Sequence, residues 1–162
     1  MTQQIRRAVP GEAGLVHALL RGLAEYEKLL DEFHLTRAQI DEALFADTPH
    51  IFCELAYVDG EPAGLALWYR TFPSFSGKYG MWLEDLFVTP EHRGAGLGFA
   101  LLTHLAGIVE RDGMHRMEWN VLPWNDPSIR FYESLGARRN ENWLSYALEG
   151  DALAKLAARA QQ

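Results

Sequence analysis

Cysteine is almost missing from this chain of 162 residues: Cys53 is the only one, which excludes an internal disulfide and any zinc site built on several thiolates. Cys53 stands in an apolar strand pattern and reads as a small buried hydrophobe, not a nucleophile. Long apolar runs are missing too, since no stretch approaches the ~20 residues of a membrane span. The opening MTQQIRRAVP has no apolar core of signal-peptide length, so a cytoplasmic location is expected and a membrane partner is not. Positive charge is scarce, with 15 Lys and Arg against 22 Asp and Glu and a formal charge of −7. That balance argues against a general nucleic-acid binder, whose affinity comes from clustered Lys and Arg. A small cationic ligand suits the field better. His17, His34, His50, His92, His104 and His115 are scattered without metal-ligand spacing, so no metal is expected. No repeat, low-complexity tract or linker divides residues 1–162, which read as one domain with room for a core.

What the chain does have is a stretch from Trp82 to Phe99 that changes character twice. Trp82 to Val88 is aromatic and apolar enough for a buried strand, yet it carries two adjacent carboxylates, Glu84 and Asp85. Thr89, Pro90, Glu91 and His92 break the strand, because proline has no backbone donor and restricts the residue before it. Arg93, Gly94, Ala95, Gly96, Leu97 and Gly98 follow, and then Phe99, Leu101, Leu102, Leu105, Ile108 and Val109 at helical spacing. Glycines at 94, 96 and 98 remove the Cβ atoms that would hold a ligand off the backbone. A row of N–H groups at a positive helix end, with Arg93 beside it, suits a phosphate or pyrophosphate, and His92 stands near enough in sequence to approach the same group. No Lys-Ser or Lys-Thr follows the glycines and their spacing is not the dinucleotide fingerprint, so neither common nucleotide loop fits.

Around this stretch the elements follow in order. Gln4 to Ala8 is a short strand, and Gly11 to Leu30 is an amphipathic helix with Leu15, Ala18, Leu19, Leu23, Tyr26 and Leu30 at spacings of three and four. Its end presents Glu25, Tyr26 and Glu27, either a functional acidic and aromatic cluster or a core tyrosine beside a solvated face. Thr36 with Gln39 makes a capping box for a second helix to Phe45. Ile51 to Val58 and Ala63 to Tyr69 read as a hairpin closed by Asp59-Gly60. Arg70 to Tyr79 is loop, in which Phe72 and Phe75 line a ligand mouth or cover the sheet edge. Behind the glycines a helix runs to Asp112, stopped by Gly113. Arg116 to Val121 is a strand, Asn125 or Asp126 caps a short helix with Pro127 in its first turn, and Gly136 ends it. Trp143 to Leu148 is a last strand and Asp151 to Ala160 a terminal helix. The expected fold class is α/β in the α+β sense: a central mixed, mostly antiparallel, twisted sheet flanked by helices, with parallel pairing where a helix intervenes.

The pattern Arg-x-x-Gly-x-Gly at Arg93, Gly96 and Gly98, after a strand ending in Val88 and before a long helix, resembles the acyl-CoA site of the GNAT superfamily of N-acetyltransferases. Three further segments narrow it: Leu83-Glu84-Asp85-Leu86-Phe87-Val88, the run from Trp124 to Tyr132, and Leu23-Ala24-Glu25-Tyr26-Glu27 resemble the spermidine/spermine (diamine) N-acetyltransferases. The resemblance implies the GNAT fold, acetyl-CoA as cosubstrate, a small amine as acceptor and a homodimer. It places acetyl-CoA against Leu86, Phe87 and Val88, against Arg93, Gly94, Ala95, Gly96, Leu97, Gly98 and Phe99, and against Asn125, Asp126, Pro127 and Ser128. Tyr132 matches the family's catalytic tyrosine and Glu84 its substrate-side glutamate. Tyr26, Glu27, Glu141 and Trp143 match positions that hold the amine. The chain departs from the family in the Arg70 to Tyr79 loop and around Arg138 to Asn142, which bears on substrate contacts.

An alkyl amine, with a pKa near ~10.4, is mostly protonated at neutral pH and must lose a proton before it attacks a thioester. Glu84 is the expected base, directly or through a water. Regular alternation would put Glu84 and Asp85 on opposite faces, so that one of them serves the amine. Tyr132 would protonate the departing thiolate, and an N–H between residues 86 and 88 would stabilise the carbonyl oxygen if a bulge or splay freed it from the sheet. The expected function is acetyl transfer to a primary amine of a small di- or polyamine. The alternatives are an acetyltransferase for lysine-like amino acids such as thialysine, and a non-catalytic acyl-CoA-binding module.

Overall fold

The computed structural model describes residues 1–161. They fall into two compact units, Met1–Leu122 and the segment from Pro123 onward. The first holds β1 (Gln3–Arg7), α1 (Ala13–Glu27), α2 (Arg37–Phe45), β2 (Ile51–Val58), β3 (Glu61–Thr71), β4 (Gly80–Val88), α3 (Leu97–Arg111) and β5 (Met117–Trp119). The strands form one five-stranded sheet in sequence order, antiparallel from β1 to β4 and parallel between β4 and β5. This is the mixed, mostly antiparallel α+β architecture expected of the sequence. Parallel pairing occurs only where α3 supplies the crossover, because a tight turn can join only antiparallel neighbours.

Local chemistry explains most boundaries. Thr36 and Gln39 form the expected capping box, with Thr36 Oγ1 accepting from the Gln39 N–H at 3.3 Å. The hairpin between β2 and β3 turns through Asp59 at φ 50° and Gly60 at φ 89°. Helix α1 is shorter than its periodicity suggests: Lys28, at φ 62°, closes it before Leu30. Its buried face is Val16, Leu19, Leu20 and Leu23, with Ala18 exposed.

One face of the sheet packs Cys53, Leu55, Leu65, Leu67 and Phe87 against α1 and α2. The contact is close enough that a Cβ on Gly22 of α1 would lie 3.0 Å from the Phe87 ring. Burial pushes the Cys53 thiol up to about 12, so it is an inert part of this core. Residues of the alternate parity on β2, Glu54 and Ala56, face α3. Glu54 is 1% exposed and accepts from Arg7 Nε at 2.7 Å and Trp68 Nε1 at 3.2 Å, with His104 Nε2 of α3 at 3.3 Å. A buried carboxylate is tolerable only with its oxygens occupied in this way.

The second unit holds α4 (Asp126–Ser134) and α5 (Gly150–Ala157). Asn125 is the cap of α4, its side chain accepting from the Ser128 N–H at 3.4 Å, and Gly136 follows the helix at φ 87°. The strand expected at Trp143 to Leu148 does not form: the segment carries no ladder, and Trp143, Leu144 and Tyr146 are 74%, 79% and 87% exposed. Its aromatic and β-favouring composition is that of a strand, but a strand forms only where a neighbour takes up its backbone groups. The strand expected at Arg116 to Val121 is likewise shorter, pairing only over Met117–Trp119.

Candidate active site

The second half of β4 is where the sheet stops being regular. Leu67 of β3 pairs with Asp85 and the next residue, Trp68, pairs with Leu83, so Glu84 is an extra residue without a partner in the ladder. It is a β-bulge, and a bulge sets two residues of one strand against one of its neighbour. On the other edge, β5 follows β4 only through Met81, Trp82 and Leu83. From Glu84 to Val88, β4 therefore has no ladder partner on the β5 side among the described residues. The bulge lies at Glu84 and the pairing with β5 ends at Leu83, so the backbone groups of the 86 to 88 stretch that face away from β3 have no ladder partner among the described residues.

The bulge also overturns the expected placing of the two carboxylates on opposite faces. Trp82 pairs with Tyr69, which shares a face of β3 with Leu67, the partner of Asp85. Glu84 turns to that same face, where Trp82 Nε1 donates to its Oε2 at 2.7 Å. Two carboxylates thus meet where alternation allowed one. Asp85 is pushed up to about 7 by burial first, and then by the negative charges of Glu84 and Glu27. Glu84 itself is exposed.

Asp85 looks into an open cleft of about 670 Å³ between the end of α1, the 28–36 loop and α2. Its walls are Leu20, Leu23, Leu29, Phe33 and Leu35, and its charged groups are Glu27, Glu32 and Asp85, with no Lys or Arg among the lining residues. Glu27 is also raised, by burial. His17 holds the outer wall, with Nε2 3.0 Å from the Leu35 carbonyl and its ring edge-on to Phe33. Asp85, Glu32 and His34 were outside the expected site. Two adjacent carboxylates in an apolar strand are the sequence's signal for Asp85, and regular alternation hides it because the bulge is set by β3.

The glycine loop joins β4 to α3. Gly94 and Gly96 sit at φ 79° and 80°, left-handed conformations that glycine alone adopts readily, and a Cβ on either would meet nothing within 4 Å. The first donor paired at the head of α3 is the Ala100 N–H, which bonds the Gly96 carbonyl at 2.9 Å. Ahead of it the N–H groups of Gly94, Ala95, Gly96, Leu97, Gly98 and Phe99 find no backbone acceptor among the described residues. Open space over unpaired donors at a helix start fits the pyrophosphate of a CoA thioester. Arg93 is turned elsewhere. Its Nε donates to the Val88 carbonyl at 3.0 Å, and its guanidinium lies 4.4 Å from the centroid of the Tyr26 ring and 5.7 Å from that of Phe87. His92 Nδ1 is 2.9 Å from Thr89 Oγ1. Within the first unit, then, Tyr26, Glu27, Glu84, Leu86, Phe87, Val88 and the loop 93–99 converge.

The remaining expected residues lie in the second unit. Asn125, Asp126, Pro127 and Ser128 form the first turn of α4, with Asn125 buried. Tyr132, half-buried on the same helix, has its ring 5.5 Å from that of Phe131. Glu141 and Trp143 stand exposed after it. Among the described residues no group of three or more His, Cys, Asp or Glu side chains is arranged to hold a metal ion.

Residues 16–137 match the model of the acetyltransferase (GNAT) family. Thialysine N-epsilon-acetyltransferase of Sus scrofa is 32% identical, over 96% of this chain and 97% of that one. Spermidine/spermine N(1)-acetyltransferase-like protein 1 of Homo sapiens is 32% identical over 95% of this chain and 24% of its own length. An integron cassette protein from the mobile metagenome of V. cholerae superposes with a TM-score of 0.81 at 25% identity, over 97% of this chain and 98% of that one.

Proposed function

The chain belongs to the GNAT acetyltransferase family, and on that premise we propose that it moves the acetyl group of acetyl-CoA to a primary amine of a small di- or polyamine. The observation that carries the choice of acceptor is the cleft beside Asp85, lined by three carboxylates and one histidine, His34, with no Lys or Arg among its lining residues. Such a cleft attracts an ammonium group and repels a carboxylate. Its apolar walls suit the methylenes between two amines.

Bound acetyl-CoA supplies a thioester carbonyl activated for attack. The protein's own part is to bind, orient and move protons. Glu27 and Asp85 hold the incoming ammonium. The bulged pair Glu84 and Asp85 takes its proton, and Asp85, held near neutral by its surroundings, is matched to that transfer at pH 7. A backbone N–H on the part of β4 without a β5 partner stabilises the carbonyl oxygen, and the loop 93–99 holds the pyrophosphate. Tyr132 gives a proton to the departing thiolate. Family resemblance assigns Asn125 to Ser128 to the cosubstrate and Glu141 and Trp143 to the amine.

A second reading, a lysine-like amino acid as acceptor, is favoured by the relative from Sus scrofa, whose name specifies thialysine. Matched acceptors decide between them. Cadaverine and lysine share a side chain and differ in a carboxylate. Cadaverine should be the better substrate by about tenfold or more, the effect of ~1.4 kcal/mol. Lysine or thialysine turning over faster would transfer the assignment to amino acids, and no acetyl-CoA consumption with any amine would leave a binding module.

We also propose a homodimer, working in the cytoplasm. Its support is the apolar surface of the second unit, where Leu144, Tyr146, Leu153 and Leu156 are all about half exposed or more.

A further inference from the structure

Arg93 opens the glycine loop, yet its side chain is spent on the other substrate's side of the molecule. Its guanidinium lies over Tyr26, the residue before Glu27 at the end of α1, while Nε is bound to Val88 at the end of β4. Three segments meet in one side chain: the helix that walls the acidic cleft, the strand that carries Glu84 and Asp85, and the loop of unpaired donors. A phosphate ligand alone would need neither the ring nor the carbonyl. The planar, fork-shaped guanidinium suits both, since it stacks on an aromatic face while an N–H in its plane bonds a carbonyl.

Resting on the acetyltransferase reading above, we infer that Arg93 is a positioning residue that couples the two substrate sites through the ring of Tyr26, so that the fit of the cosubstrate loop depends on the position of α1. The Gly22–Phe87 contact fixes α1 against β4 one turn earlier. The Tyr26–Arg93 contact extends that fixing across to residues 94–98. Anything that settles the end of α1, such as an ammonium held at Glu27, then settles the loop, and by reciprocity CoA tightens the amine site.

Calorimetric titration with CoA alone tests this on a helix that lends the loop no backbone group. Tyr26→Leu keeps an apolar side chain but removes the ring face. It should weaken CoA by about three- to tenfold, the size of one partly exposed cation–π contact. Tyr26→Phe retains the face and should restore the affinity. Arg93→Lys keeps the charge and loses the stack, and the double variant Tyr26→Leu with Arg93→Lys should be no weaker than the worse single variant. Unchanged CoA affinity in Tyr26→Leu, failure of Tyr26→Phe to restore it, or losses that multiply in the double variant would each overturn the coupling. If Tyr26→Leu does not fold, Tyr26→Met carries the same comparison. Absence of CoA binding to the unaltered protein would instead strike at the acetyltransferase reading itself.

Discussion

Asp85 keeps its proton to about pH 7 because burial and two neighbouring carboxylates oppose its ionisation. A folded-state pKa raised above the unfolded value near ~3.9 means that the fold binds this proton more tightly than the open chain does. The associated stability is full below pH ~4 and is lost as pH rises through about 7. Asp85→Asn should therefore stabilise the protein at about pH 8 by ~1–3 kcal/mol while leaving it unchanged near pH 4, as read by urea melts at both values. Equal gains at both would mean that its charge is not what strains the site. Activity separates the carboxylates. Asp85→Asn and Glu84→Gln should each lower kcat/KM by about 10²–10⁴-fold at neutral pH. The defect of the true base eases as pH rises toward the amine's own pKa, since solution then supplies free amine. Whichever variant shows no easing is a binding or structural carboxylate. Tyr132→Phe keeps the ring and removes the hydroxyl, so CoA should bind while turnover falls by a similar ~10²–10⁴-fold. Full activity in that variant would leave the thiolate to depart unaided.

At the scale of the element, the glycine loop bears the sharpest expectation. Gly96 caps α3 at φ 80°, where a β-branched side chain is both strained, by about 1–2 kcal/mol, and placed in the space over the donors. Gly96→Val should abolish CoA binding in calorimetry while the protein still melts cooperatively. Undiminished affinity would remove the loop from the site. The elements most legible in the sequence were those decided by neighbours a few residues apart. Thr36 and Gln39 wrote the start of α2, Asp59-Gly60 the hairpin, Asn125 the cap of α4, and the run behind Gly98 the core face of α3. What could not be read depends on a partner strand. Nothing within Leu83-Glu84-Asp85 says that Trp68 and Leu67 will pair around a bulge, so the meeting of two carboxylates on one face was hidden. Trp143 to Leu148 has a strand's composition but no ladder. Arg93 stands in a motif by sequence, whereas its side chain follows the nearest ring.

At the scale of the whole molecule, the apolar surface from Trp143 to Leu156 and the net charge decide behaviour in solution. Sedimentation at micromolar concentration should give twice the mass of 18.3 kDa, and Leu144→Asp with Tyr146→Asp should halve it; a monomer in both cases would withdraw the homodimer. The bulge at Glu84 has a consequence for chain length. Leu83 and Asp85 already stand opposite consecutive residues of β3, so a chain shortened by this one residue can close the ladder without moving any other side chain to the opposite face. Natural strands rarely permit such an excision, because losing one residue normally inverts everything beyond it. A variant lacking Glu84 should melt at or above the temperature of the parent and transfer no acetyl group, having exchanged its reactive kink for a continuous sheet.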